Sequence, residues 1–171
     1  MRCNALERLE LTGVDLTDKG LVVLRGLTNL RALSLRHVRL TNAGLENLVG
    51  LKQLTELDLA SSSLYSRLGD AGMQHLSALS NLKKLNLDYT PMTDVGLGHL
   101  SGLSNLEELW LNSADITDAG IVHLKKLPKL KLLDLYHTLI TPKGQEELKT
   151  ALPGCKMIWE HDSSFERRRK S

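Results

Sequence analysis

Leu82-Lys83-Lys84-Leu85-Asn86-Leu87, followed by Met92-Thr93-Asp94-Val95-Gly96-Leu97 and then by Leu100 and Leu103, is the stretch that decides the fold. Leu82, Leu85 and Leu87 alternate with polar Lys84, Asn86 and Asp88, the period-two pattern of a half-buried strand. Met92 then faces the core from a loop. Thr93 fits a helix N-cap, and Asp94 falls in the first turn, where the helix dipole favours an anion. Leu97, Leu100 and Leu103 make a stripe at i, i+3, i+6, which suits a short helix or 3₁₀ segment lying on the core.

The same phrase is written six times, beginning at Leu6, Leu30, Leu54, Leu82, Leu106 and Leu130, with steps of 24, 24, 28, 24 and 24 residues. A fixed period of this length is the mark of a solenoid. No unit buries its leucines alone, so stacked units must share one core. The sixth copy supports the capping assignment with Thr141-Pro142, because proline suits the first helical position. The matching cap candidates are Thr17, Thr41 and Thr117, with Gly69 at that place in the third copy.

Composition agrees with one long aliphatic core. The chain has 171 residues, 42% apolar, of which 39 are leucine and only six aromatic. Net charge is +2, but Arg167, Arg168, Arg169 and Lys170 form a terminal run. The 22 basic residues less these four leave 18 against 20 acidic ones, so the body is slightly acidic. Residues 1–161 therefore read as the repeat domain, closed by a strand at 155–160, and 162–171 as a basic flexible tail. The tail suits neither nucleic acid nor membrane, since no basic patch stands behind it.

Cys3 and Cys155 lie at opposite ends of the solenoid and cannot pair. Cysteine-clustered caps are missing, and Arg2, Asn4, Glu7 and Arg8 break any apolar leader. Both observations point to the cytoplasm. Cys3 stands where a helix leucine belongs, so the first strand's edge lacks cover. A fragment of a longer protein with further N-terminal repeats, an edge-to-edge homodimer and a tolerated open end all remain possible.

The motif Leu-x-x-Leu-x-Leu-x-x-Thr-x-apolar-Thr-Asp-x-Gly-Leu, clear at Leu82–Leu97, resembles ribonuclease-inhibitor-like leucine-rich repeats. It is most similar to the Thr-Asp-x-Gly-Leu subclass of bacterial repeat proteins and of F-box substrate-recognition arms. The resemblance implies an α/β leucine-rich-repeat right-handed solenoid, with a curved parallel sheet on the concave face and short helices on the convex one. It also implies a protein-interaction surface, usually the concave one. The segment Leu152–Trp159 resembles the closing half-repeat of the bacterial members, with Ile158 inward and Trp159 outward. No F-box helices precede the repeats.

Strand positions three, five and seven face the concave side. Its late half gathers Tyr89, Trp110, Tyr136 and Trp159, with Leu132 and Met157 beside them. Glu56, Asp58, Asp88, Glu108 and Asp134 outnumber Arg36 and Lys84. Exposed Trp and Tyr beside apolar neighbours suit a binding hot spot. The competing reading is that the aromatics only shield the sheet. The expected site is Tyr89, Trp110, Tyr136, Trp159, Asp88, Asn112, Leu132, Asp134 and Glu108, with Tyr65 from the enlarged loop of the third copy. The expected partner is a protein or peptide, neutral to basic, with an apolar anchor.

Catalytic signatures are missing. The chain has no glycine-rich phosphate loop, no H-E-x-x-H and no Cys-x-x-Cys. His75, His99 and His123 recur at one position, but no Cys, Asp or Glu completes a metal set there. The sequence therefore reads as a non-catalytic protein-interaction module that needs no cofactor. The alternative is the recognition arm of a larger ligase or signalling protein whose catalytic part lies outside this chain.

Overall fold

The computed structural model describes residues 5–61 and 67–159 of the chain. Seven parallel strands stand in chain order: β1 (Arg8–Glu10), β2 (Ala32–Ser34), β3 (Glu56–Asp58), β4 (Lys84–Asn86), β5 (Glu108–Trp110), β6 (Leu132–Asp134) and β7 (Lys156–Ile158). The fold is a leucine-rich-repeat α/β solenoid. Each strand is three residues long, because the polypeptide must turn away after one pleat to reach the opposite face within its period.

The return segments are helical. The first two are 3₁₀ turns, Gly20–Gly26 and Asn42–Leu48, and the next two are α1 (Asp70–Leu76) and α2 (Asp94–Leu100). In the fifth unit a 3₁₀ turn, Asp118–Gly120, runs into α3 (Ile121–Leu124), and α4 (Pro142–Ala151) closes the series. One continuous core lies between strands and helices. Leu33, Leu57, Leu85, Leu109 and Leu133 line up through it in register and are buried. Removing such a column from water is the main stabilising term, at about 25 cal/mol per Å² of apolar surface.

The Thr-Asp-x-Gly phrase does more than the local capping expected of it. Each acid reaches forward into the following unit. Asp70 accepts the Thr93 amide at 2.7 Å, the Thr93 hydroxyl at 2.7 Å and the Gly96 amide at 2.9 Å. Asp18 serves Thr41, Asp94 serves Thr117 and Asp118 serves Thr141 in the same way. The threonine hydroxyls of Thr93, Thr117 and Thr141 also accept from amides of their own helices, so those residues do cap. The Thr41 hydroxyl accepts no such bond, and Thr17 is not a cap residue: Lys19 precedes the first helical turn.

The ladder explains the glycine. A Cβ at Gly44, Gly96, Gly120 or Gly144 would stand 2.2–2.5 Å from the carboxylate oxygen of the preceding unit. The third copy departs from the phrase consistently. Gly69 has no hydroxyl to donate, and the unit before it carries Asn42, whose single amide oxygen accepts the Gly69 amide at 2.8 Å.

The closing strand corrects the expected register. Lys156 pairs with Leu132, Met157 with Leu133 and Ile158 with Asp134. Met157 and Trp159 therefore fall on the core side, where both pack against the leucines, and Ile158 takes the concave column. The step from β6 to β7 is the regular 24 residues, so the displacement of Leu152 is not carried into the strand, and a register one residue away from the expected one exchanges the faces.

Candidate functional site: the late concave face

β4, β5 and β6 bring Glu108, Trp110, Leu132 and Asp134 onto one face, and the turns that follow add Asp88, Asn112 and Tyr136. Trp110, Leu132 and Tyr136 are half-buried, and Tyr89 on the rim is 41% exposed. Trp159 does not join them, for the reason just given. Tyr65 lies outside the described residues.

The acids of this face are committed to bonds within the protein. Glu108 pairs with Lys84 at 3.1 Å, Glu56 with Arg8 at 3.1 Å and Asp58 with Arg36 at 3.7 Å. Exposed pairs of this kind contribute little to stability, but they neutralise the surface locally. The expected acidic excess is therefore smaller in space than in sequence. Each pair joins different units, which a reading of single columns does not reveal.

Position five has a second, recurrent task. Asp58 accepts the Ala60 amide, Asn86 the Asp88 amide and Asp134 the Tyr136 amide, at 2.9–3.0 Å. Trp110 has no oxygen for that role. There the Asn112 amide turns to Asp88 of the preceding unit, at 2.9 Å. Asp88 and Asn112 thus hold the backbone around Trp110, which frees position five of this unit for an indole. Asp134 is only 5% exposed and Ile158 only 1%, so the floor of the face is dry beside Leu132 and Tyr136.

Burial raises the Asp58 carboxyl above the ordinary aspartate value, against the Ala60 amide, Arg36 and His37. Burial also works against the charge of Asp70, but the Thr93 and Gly96 bonds and the nearby His99 outweigh it and hold its pKa below that value.

The rim shows strain. His37, Tyr89, Ser113 and His137 occupy one position in four units, each with φ between 55 and 62°. Side chains other than glycine rarely adopt this left-handed region. The hydrogen-bond ladder requires it, because the amides of His37, Tyr89 and Ser113 each donate to the next unit. The Tyr136 and His137 rings lie 4.0 Å apart at 48°.

His75, His99 and His123 sit near the ends of helical segments, where a positive charge suits the dipole. Among the described residues no group of three or more His, Cys, Asp or Glu is placed to hold a metal ion. Burial pushes the Cys155 thiol up to about 11, so it is a poor nucleophile at neutral pH. Among the described residues no helix is long and apolar enough to cross a membrane.

Comparison with known proteins supports the architecture. A family model described as Leucine Rich repeat matches residues 78–101, one full unit. A search of curated proteins finds no match. The crystal structure of an internalin (inlF) from Listeria monocytogenes is similar with a TM-score of 0.64 at 22% identity, over 87% of this chain and 38% of that one. Internalin C2 (inlC2) from the same organism gives a TM-score of 0.60 at 23% identity, over 94% of this chain and 76% of that one. The chain therefore spans well under half the length of the first of these. At such identities the likeness concerns the fold.

Proposed function

We propose that this leucine-rich-repeat chain is a non-catalytic protein-interaction module whose late concave face takes a protein segment with an apolar anchor. One observation carries the reading: Trp110 stands half-exposed beside Leu132 and Tyr136 on a sheet whose charged neighbours are already paired. Aromatic side chains on a rigid, pre-organised surface lose little entropy on binding and dominate interface energies. The pairing of Glu108 with Lys84 and of Asp58 with Arg36 moves the preferred anchor toward neutral. The free thiol of Cys155 suits a reducing compartment such as the cytoplasm.

The test is affinity capture of a partner, followed by titration against Trp110→Ala/Tyr136→Ala. Loss of at least about tenfold in affinity is expected, which is the cost of one good anchor. Trp159→Ala is not the right probe, because Trp159 packs on the core. Unchanged affinity in a folded double variant overturns the assignment.

A further inference from the structure

The fifth unit departs from its neighbours on the flank where the helices return to the strands. There the fourth unit reads Ser101-Gly102-Leu103-Ser104-Asn105-Leu106-Glu107, and the fifth reads Lys125-Lys126-Leu127-Pro128-Lys129-Leu130-Lys131. The core leucines are kept, while four of the five other places become lysine. A cation near a helix C-terminus suits the dipole, which accounts for Lys125 and Lys126 at the end of α3. It does not account for Lys129 and Lys131, which lie past the turn.

Lys83 of the third unit joins them in space. Glu107 accepts from Lys131 at 2.5 Å and lies 3.9 Å from Lys83. The Lys131 bond, with the charges of Lys83 and Lys129, holds the Glu107 carboxyl below the ordinary glutamate value. Lys125 pairs with Glu147 at 2.5 Å, and Lys129 donates to the neutral amide oxygen of Asn105. Lys126 has no side-chain partner among the described residues. Five lysines thus meet two acids, an excess of three positive charges on a slightly acidic body. Read along the chain, no basic patch appears beyond the terminal run. The fold assembles one, because residues one and two units apart come to the same flank.

Between these lysines and the next return loop runs a shallow groove of about 520 Å³. Leu130 and Leu152 lie in its floor, and exposed Pro128 and Pro153 come one from each loop. We propose that this flank binds a carboxylate-rich peptide segment of another protein, which sets acidic side chains on Lys125, Lys129 and Lys131 and one aliphatic side chain on the Leu130–Leu152 floor. Charge complementarity and the groove together select this occupant. Ammonium groups are point charges that suit single carboxylates, and no arginine fork for phosphate lines the groove. Bases would find nothing to stack on, since Tyr89, Trp110 and Tyr136 lie on the concave side and Trp159 against the core. A bilayer surface would meet the lysine heads and leave the apolar floor unused. A second copy of this chain is a poor source of acids. On its opposite flank Asp18, Asp70, Asp94 and Asp118 are bonded between units, and Asp15 pairs with Arg39.

The test is fluorescence anisotropy of the full chain with a short labelled peptide of aspartate and glutamate around one leucine. Binding is expected at low salt and should weaken as salt rises. Lys129→Ala/Lys131→Ala should lose at least about tenfold in affinity at an unchanged melting temperature, because exposed pairs contribute little to stability. Lys19→Ala/Lys143→Ala makes the same change in net charge elsewhere and should lose less than about twofold. Equal losses in the two variants, or no binding to the wild type, overturn the proposal. Serine for leucine in the peptide should weaken binding severalfold, and equal affinity of the two peptides overturns it as well. Vesicles of phosphatidylserine and a single-stranded oligonucleotide are measured beside the peptide. Tighter binding of either through the same lysines makes that the occupant and overturns the assignment, as does self-association that the lysine variant abolishes. The flank is a different surface from the late concave face. Trp110→Ala/Tyr136→Ala should therefore leave peptide binding unchanged, which separates failure of this inference from failure of that one.

Discussion

Asp70→Ala removes the acceptor of three hydrogen bonds at once, from the Thr93 amide, the Thr93 hydroxyl and the Gly96 amide. Hydrogen bonds to a charged group contribute about 1.5–3 kcal/mol each, but three on one half-exposed carboxylate do not add in full. We expect a loss of about 2–4 kcal/mol. For a chain of 171 residues this lowers the melting temperature by roughly 5–15 °C. Urea unfolding followed by circular dichroism measures it directly. Asp15→Ala is the control: its exposed pair with Arg39 should contribute under about 0.5 kcal/mol. A double-mutant cycle with Thr93→Val should return a coupling of about 1–2 kcal/mol. The pH dependence follows from the lowered pKa of Asp70. A carboxyl held below its unfolded value stabilises the fold above the unfolded pKa, and that contribution is lost as pH falls through the folded one. The difference between wild type and Asp70→Ala should therefore be full at pH 7 and shrink below about pH 4. A loss under about 0.5 kcal/mol, or a coupling near zero, refutes the ladder as a source of stability.

Three further outcomes are expected. Gly96→Ala sets a Cβ 2.5 Å from the Asp70 oxygen and should destabilise by about 2 kcal/mol or more in thermal unfolding, and by less in an Asp70→Ala background. Asp58→Asn keeps an acceptor for the Ala60 amide, as Asn86 does for Asp88, and removes a charge that burial disfavours. A raised carboxyl pKa weakens the fold as pH rises through it, so this variant should gain on wild type at pH 7 and lose that gain below pH 4, read from urea midpoints. Tyr89→Gly relieves a left-handed residue and should leave stability unchanged or raise it by up to about 1 kcal/mol while weakening partner binding, read by melting and by titration together.

The periodic leucines determined the solenoid, its strands and the place of every core layer, because burial of a repeated apolar column is a property of spacing alone. The same periodicity placed Trp110, Leu132 and Tyr136 on one face before any coordinates. Three matters were decided only in three dimensions. The acid of the Thr-Asp-x-Gly phrase serves its neighbour and not its own helix, since a carboxylate beside a glycine can cross between units. Trp159 went to the core, because β7 keeps the 24-residue step although Leu152 is displaced by one, and a register shift of one residue exchanges the two faces of a strand. The acids of the concave face found partners on other strands, as Glu56 did in Arg8, two strands away. Periodicity records which face a residue takes within its own unit; what it meets there depends on units 24 or more residues distant, and only the packed sheet brings those together.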